Sequence, residues 1–93
     1  MPLNTFIRAQ LRTLIYPVQF DQNPVDGAPR VYAQLAKQEK PEALADNLFA
    51  IRSGLDSAEP LADLIPQGHS EGAIREYLGA LAQFIEQELQ PGS

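Results

Sequence analysis

Three carboxylates, Asp56, Glu59 and Asp63, gather around one turn of the chain. Paired carboxylates perform acid–base chemistry when their surroundings push their proton affinities apart. A deep cleft holding two of these three would make a carboxylate-based hydrolase, but nothing in the flanking sequence marks any of them for burial. Glu86 and Glu88 are two residues apart and point to different helix faces. Glu42 and Asp46 are one turn apart and share a face, where like charges are mildly destabilising and normally solvated. His69 is the single histidine and lies between Gly68 and Ser70 ahead of a helix start, the place of an exposed turn residue. The chain has no cysteine, which excludes a thiolate metal site and a cysteine nucleophile; zinc would have to rely mainly on carboxylates. A serine–histidine arrangement would depend on His69 alone, while Ser53, Ser57 and Ser70 sit where turns and caps want a small hydroxyl. The glycines are scattered and form no phosphate-binding loop. These residues predict a protein that is not an enzyme and holds no metal or cofactor.

Charge is the stronger signal. Residues 1–40 carry Arg8, Arg12, Arg30, Lys37 and Lys40 against Asp21, Asp26 and Glu39, a balance of +2. Residues 41–93 carry Arg52 and Arg75 against Glu42, Asp46, Asp56, Glu59, Asp63, Glu71, Glu76, Glu86 and Glu88, a balance of −7, which brings the chain to −5. An acidic half repels nucleic acid and anionic membrane and attracts a basic partner. Arg8 and Arg12, one turn apart, are the one thread toward nucleic acid. Neighbouring acids dilute it, and the acidic remainder opposes it beyond a screening length of about 8 Å.

The elements that position these groups are helical. Leu3, Phe6, Ile7, Leu11, Leu14 and Ile15 form an apolar stripe on a first helix from about Leu3 to Tyr16, capped by Asn4 or Thr5 and stopped by Pro17. Pro17 to Pro29 reads as a long loop, with turn signals at Asn23-Pro24 and Asp26-Gly27. Its Val18-Gln19-Phe20 stretch alternates enough for a short strand, and Phe20 is expected to plug the end of the bundle. Pro29 suits the first turn of a second helix ending near Lys40, with Val31, Tyr32, Leu35 and Ala36 on one face. Leu44, Leu48, Phe49, Ile51, Arg52 and Leu55 describe a third helix from Glu42, terminated by Gly54 in a left-handed conformation. Leu61, Leu64 and Ile65 give a short helix before Pro66. Ser70 caps the longest helix, striped by Ile74, Tyr77, Leu78, Leu81, Phe84, Ile85 and Leu89 and ended by Pro91-Gly92-Ser93. Gly79 costs that helix about 1 kcal/mol relative to alanine and marks a place for close backbone packing. The expectation is one all-α domain over residues 1–93, a small irregular bundle of four main helices plus one short helix. No apolar run approaches the ~20 residues that cross a bilayer, and the arginines interrupt any leader-like segment near Met1. With no disulfide to staple a small core, a soluble protein of the cytoplasm is expected.

Small, acidic, cysteine-free helical chains of this kind resemble bacterial immunity proteins, those of contact-dependent growth inhibition systems and of nuclease bacteriocins. The segment Ala73-Ile74-Arg75-Glu76-Tyr77-Leu78-Gly79-Ala80-Leu81-Ala82-Gln83-Phe84-Ile85-Glu86 is similar in texture to some members. The resemblance implies a cationic nuclease toxin, often one acting on transfer RNA, as partner. The residues expected to meet such a partner are Asp46, Asp56, Glu59, Asp63 and Glu71, with Tyr77 or Phe20 as an apolar anchor, because aromatic anchors ringed by charge concentrate binding energy. A helical adaptor that homodimerises through its last helix is the alternative, since that stripe is wide and Gly79 would permit a close crossing.

Overall fold

The first helix begins where the sequence offers a side-chain acceptor. Asn4 accepts the Ile7 backbone N–H at 2.8 Å and satisfies one of the donors that every helix start leaves open. The computed structural model describes residues 4–38, 40–65 and 67–89. Its helices are α1 (Thr5–Ile15), α2 (Ala28–Gln38), α3 (Pro41–Leu55) and α4 (Glu71–Leu89), with 3-10 turns at Tyr16–Val18, Pro24–Gly27 and Leu61–Asp63. No strand occurs among the described residues. The fold is the expected all-α bundle. The expected helix start at Leu3, the break at Pro66 and the stop at Pro91-Gly92-Ser93 lie outside the described residues.

The longest helix is the axis of the bundle. α4 packs against α2, α3 and the Pro24–Gly27 and Leu61–Asp63 turns, while α1 packs on α3. Ile74, Tyr77, Leu78, Leu81 and Ile85 of α4 are all fully buried. They meet Ile7, Leu11, Leu14 and Ile15 of α1 and Leu44, Leu48 and Ile51 of α3 in one core. Helical periodicity thus converts directly into burial: every α4 residue at the apolar spacing faces a neighbouring element. Among the described residues no helix is long and apolar enough to cross a membrane.

The connection from Tyr16 to Gly27 departs from expectation. It forms two 3-10 turns and no strand. Val18 and Pro24 enter the core, whereas Phe20 is 92 % exposed. A 3-10 turn has three residues per turn, so the inward place falls to Val18 and Phe20 swings out. Gly27 is fixed by space: a Cβ there would stand 2.6 Å from Asp21 Oδ2 and 2.7 Å from Val18 Cγ1.

Other local expectations change for packing reasons. Gly54 does not end α3 in a left-handed turn. It lies inside the helix, buried against Leu11, whose Cδ1 would be 2.9 Å from an added Cβ. α3 instead ends at Asp56 in ordinary right-handed geometry. Ala36 is exposed, its place on the inner face of α2 taken by Ala28 and Val31. Phe49, placed on the apolar stripe of α3, is 64 % exposed. Nothing approaches within 4 Å of a Cβ built at Gly79, so no backbone crosses there. Gly79→Ala should therefore stabilise the protein by about 0.5–1 kcal/mol, since only helix propensity changes. Gly27→Ala should destabilise it by about 1–3 kcal/mol through overpacking. Urea unfolding followed by circular dichroism reads both.

Candidate functional site

The turn between α3 and α4 carries three of the seven expected contact residues, Asp56, Glu59 and Asp63, and cations from elsewhere hold it. The Arg75 guanidinium donates from Nη1 to the Leu55 carbonyl at 3.1 Å and from Nη2 to the Ser57 and Glu59 carbonyls, each at 3.0 Å. These are carbonyls that the end of α3 and its turn leave unpaired. Arg8 grips Glu59 through three contacts, Nη2 to Oε1 at 2.9 Å, Nη2 to Oε2 at 3.1 Å and Nε to Oε2 at 3.2 Å. Arg12 Nε donates to the Leu64 carbonyl at 3.1 Å. The two α1 arginines that hinted at nucleic acid are thus committed to the 59–64 segment.

Glu71 is a structural group. Its carboxylate accepts the Leu61 N–H at 2.9 Å and the Ala62 N–H at 2.7 Å, and Arg75 Nε donates to it at 2.8 Å. Burial alone pushes its proton affinity up, but the two backbone donors and the Arg75 charge outweigh that and hold the carboxyl below the ordinary glutamate range. A carboxyl held low in the folded state contributes stability above its unfolded value, and that contribution is lost as pH falls through the folded value. The stability gap between wild type and Glu71→Gln should therefore be largest near neutral pH. It should begin to close as pH falls into the ordinary glutamate range, near about 4, and go on closing below it through the lower folded value, as read by urea titrations at each pH.

Tyr77 cannot serve as a surface anchor. It is fully buried, and its hydroxyl donates to the Leu14 carbonyl at 2.5 Å. Glu59 and Glu71 keep side chains 25 % and 37 % exposed and are ion-paired with Arg8 and Arg75. Glu86 pairs with Arg52. Glu88 accepts from the Tyr32 hydroxyl at 2.9 Å, which, followed by burial and the carboxylate charge, raises the Tyr32 proton affinity. The negative potential of the second half is therefore partly spent inside the molecule.

Three open carboxylates line α3, while Asp26, Asp63 and Glu76 stay exposed on other elements. Glu42, Asp46 and Asp56 are exposed and take part in no ion pair among the described residues. With Phe49 and Ser53 they fall within an arc of about 80° on a helix of 3.6 residues per turn, over a length of about 21 Å. Ion-paired Arg52 and Glu86 stand beside this ladder. The structure thus brings Asp46 and Asp56 together on one face. Asp63, exposed in the Leu61–Asp63 turn, and Phe20, exposed beyond Val18, lie on other elements. Glu42 and Phe49 were not among the expected contact residues; the spacing 42, 46, 49, 53, 56 is the signal that joins them to Asp46 and Asp56.

This face presents open charge and one exposed aromatic ring. No group of three or more acidic or histidine side chains among the described residues could hold a metal ion. His69 lends its Nε2 to the Val18 carbonyl at 2.8 Å, tying the segment before α4 to the Tyr16–Val18 turn. Of the α4 apolar stripe, Ile74, Tyr77, Leu78, Leu81 and Ile85 are buried within one copy, and Phe84 and Leu89 are part-buried. No family model, curated protein or solved structure matches the chain.

Proposed function

We propose that this chain binds and neutralises a cationic protein partner through the outward face of α3, in the manner of an immunity protein that blocks a nuclease toxin in the cytoplasm of the cell making both. The observation that carries the reading is the Glu42–Asp46–Phe49–Asp56 ladder: open carboxylates about an aromatic ring that the core does not use. Glu42 and Asp46 repel each other across one helical turn, at a cost of a few tenths of a kcal/mol. A basic partner relieves that repulsion. Complementary charge also speeds encounter and fixes orientation, while a central aromatic side chain supplies the desolvated contact that slows release.

The reading expects a basic domain to be encoded beside this chain, and the test uses that domain as partner. Calorimetric titration should give a one-to-one complex whose affinity falls as salt is raised, and the complex should suppress cleavage of RNA by that domain. Phe49→Ala should weaken binding about tenfold or more without lowering the melting temperature, because the ring lies outside the core. Undiminished affinity in Phe49→Ala, or RNA cleavage that continues in the complex, would contradict the reading.

A further inference from the structure

α2 is the helix that the core holds least. Among the described residues it buries only Ala28 and Val31; Tyr32 and Leu35 are half-buried, and Ala33, Gln34, Ala36 and Lys37 are exposed. α4 by contrast buries Ile74, Tyr77, Leu78, Leu81, Ala82 and Ile85. α2 packs on α4 and on the Pro24–Gly27 turn. A cleft of about 310 Å³, with Thr13, Leu14 and Pro17 on one side and Val31 and Leu35 on the other, parts it from α1. Elements with few buried apolar contacts open first.

Polar contacts fasten α2 where packing is thin. Near its start Arg30 Nη2 donates to the Pro17 carbonyl at 3.1 Å and to Asp21 Oδ2 at 2.8 Å. Further along, the Tyr32 ring stacks on Phe84 with centroids 5.5 Å apart, and its hydroxyl donates to Glu88 at 2.9 Å. These bonds are solvent-exposed, where each contributes little. On α4, Tyr77, Leu81, Phe84 and Glu88 fall within an arc of about 60°, so the Tyr32 ring lies on a ridge that continues into the core. An isolated helix of eleven residues is marginal in water; once off α4, α2 unravels.

We propose that α2 is a strap that leaves α4 and unravels while α1, α3 and α4 stay folded, in openings that bare the Leu81–Phe84 part of that ridge. The strap and the core are then separate cooperative units, with Tyr32 as the main fastening between them. Burial explains the division. α1, α3 and α4 share Leu11, Leu14, Leu44, Leu48, Ile51 and Leu78, whereas α2 adds Ala28 and Val31 to the same core. None of the strap's residues belongs to the α3 face, so this inference and the protein-binding reading can each fail alone.

The test is hydrogen exchange of the ¹⁵N-labelled full chain, followed by nuclear magnetic resonance at low urea concentrations. Amides of residues 32–37 should be protected, yet at least about a hundredfold less than those of residues 77–85. Their protection should also fall little with urea, because the opening exposes a small part of the surface. Ile7→Val, at the end of α1 away from the cleft, should lower protection at 77–85 about two- to tenfold and leave 32–37 unchanged. Tyr32→Ala, which removes both the stack and the hydroxyl bond, should lower protection at 32–37 about tenfold or more. Equal protection and urea dependence in the two segments, no protection at 32–37 in wild type, a fall at 32–37 in Ile7→Val, or undiminished protection there in Tyr32→Ala would overturn the proposal.

Discussion

Tyr77→Ala is expected to cost about 3–5 kcal/mol, the range for removing a large buried aromatic ring, and so to leave the protein unfolded or nearly so at 37 °C. A domain of this size has roughly 5–15 kcal/mol in total. Tyr77 is fully buried on α4, the helix against which both α2 and α3 pack. Its ring fills the space between α1 and α4, and its hydroxyl donates to the Leu14 carbonyl at the end of α1. Alanine leaves a cavity and an orphaned carbonyl together. Tyr77→Phe separates the two effects: the ring stays, the hydrogen bond goes, and the cost should be about 1 kcal/mol, a fall of about 4–8 °C in melting temperature. Burial raises the Tyr77 proton affinity far above the ordinary tyrosine range. A group held neutral in this way contributes stability below its unfolded value, near about 10, and loses it as pH rises further. Wild type should thus destabilise steeply above that pH, and Tyr77→Phe less so. Thermal melts by circular dichroism read all of this, and a wild-type melting temperature in Tyr77→Ala would refute the packing described.

Charge reversal on α3 should have the largest effect on binding. Glu42→Lys, Asp46→Lys and Asp56→Lys together place three cations opposite a basic partner, and like-charge juxtaposition across an interface costs several kcal/mol. The expected loss of affinity is about a hundredfold or more. Folding should survive, because none of the three side chains is buried or ion-paired among the described residues. The same change at Asp56, Glu59 and Asp63 would be a poorer probe. Glu59 holds Arg8 across fifty-one positions of sequence, so its reversal loosens the turn and mixes stability with binding.

The helices were legible because their signals are local and agree. Ser70 ahead of Glu71, the apolar period from Ile74 to Ile85, and Asn4 ahead of α1 each fix an element with no knowledge of the rest. The candidate site was only half legible. Asp46 and Asp56 follow from their exposure on a helix, but Phe49 was drawn into the core by its hydrophobicity. Leu44, Leu48 and Ile51 already define the inward face of α3. Phe49 lies about 140° around the helix from Leu44 and about 160° from Ile51, so the angle overrules the side chain's preference. Tyr77 met the opposite conflict: its place in the α4 stripe demanded burial, and a buried ring cannot also anchor a partner. Glu59 and Glu71 were illegible as internal partners. Nothing near Glu59 in sequence announces that α1 delivers Arg8, and the donors that hold Glu71 arrive through a turn that forms only when α3 and α4 pack. In the Tyr16–Gly27 segment, alternation suggested a strand, whereas 3-10 turns choose Val18 over Phe20 for the core.

The most direct test of the α3 face compares two charge reversals with the same net charge. Glu42→Lys, Asp46→Lys and Asp56→Lys change the chain from −5 to +1. Asp26→Lys, Asp63→Lys and Glu76→Lys do the same at exposed positions off α3. Calorimetric affinity for the expected basic partner should fall about a hundredfold or more in the first variant and stay within about tenfold of wild type in the second, where only long-range steering is lost. Equal losses in the two variants would mean that net charge alone attracts the partner and that α3 is not its docking face.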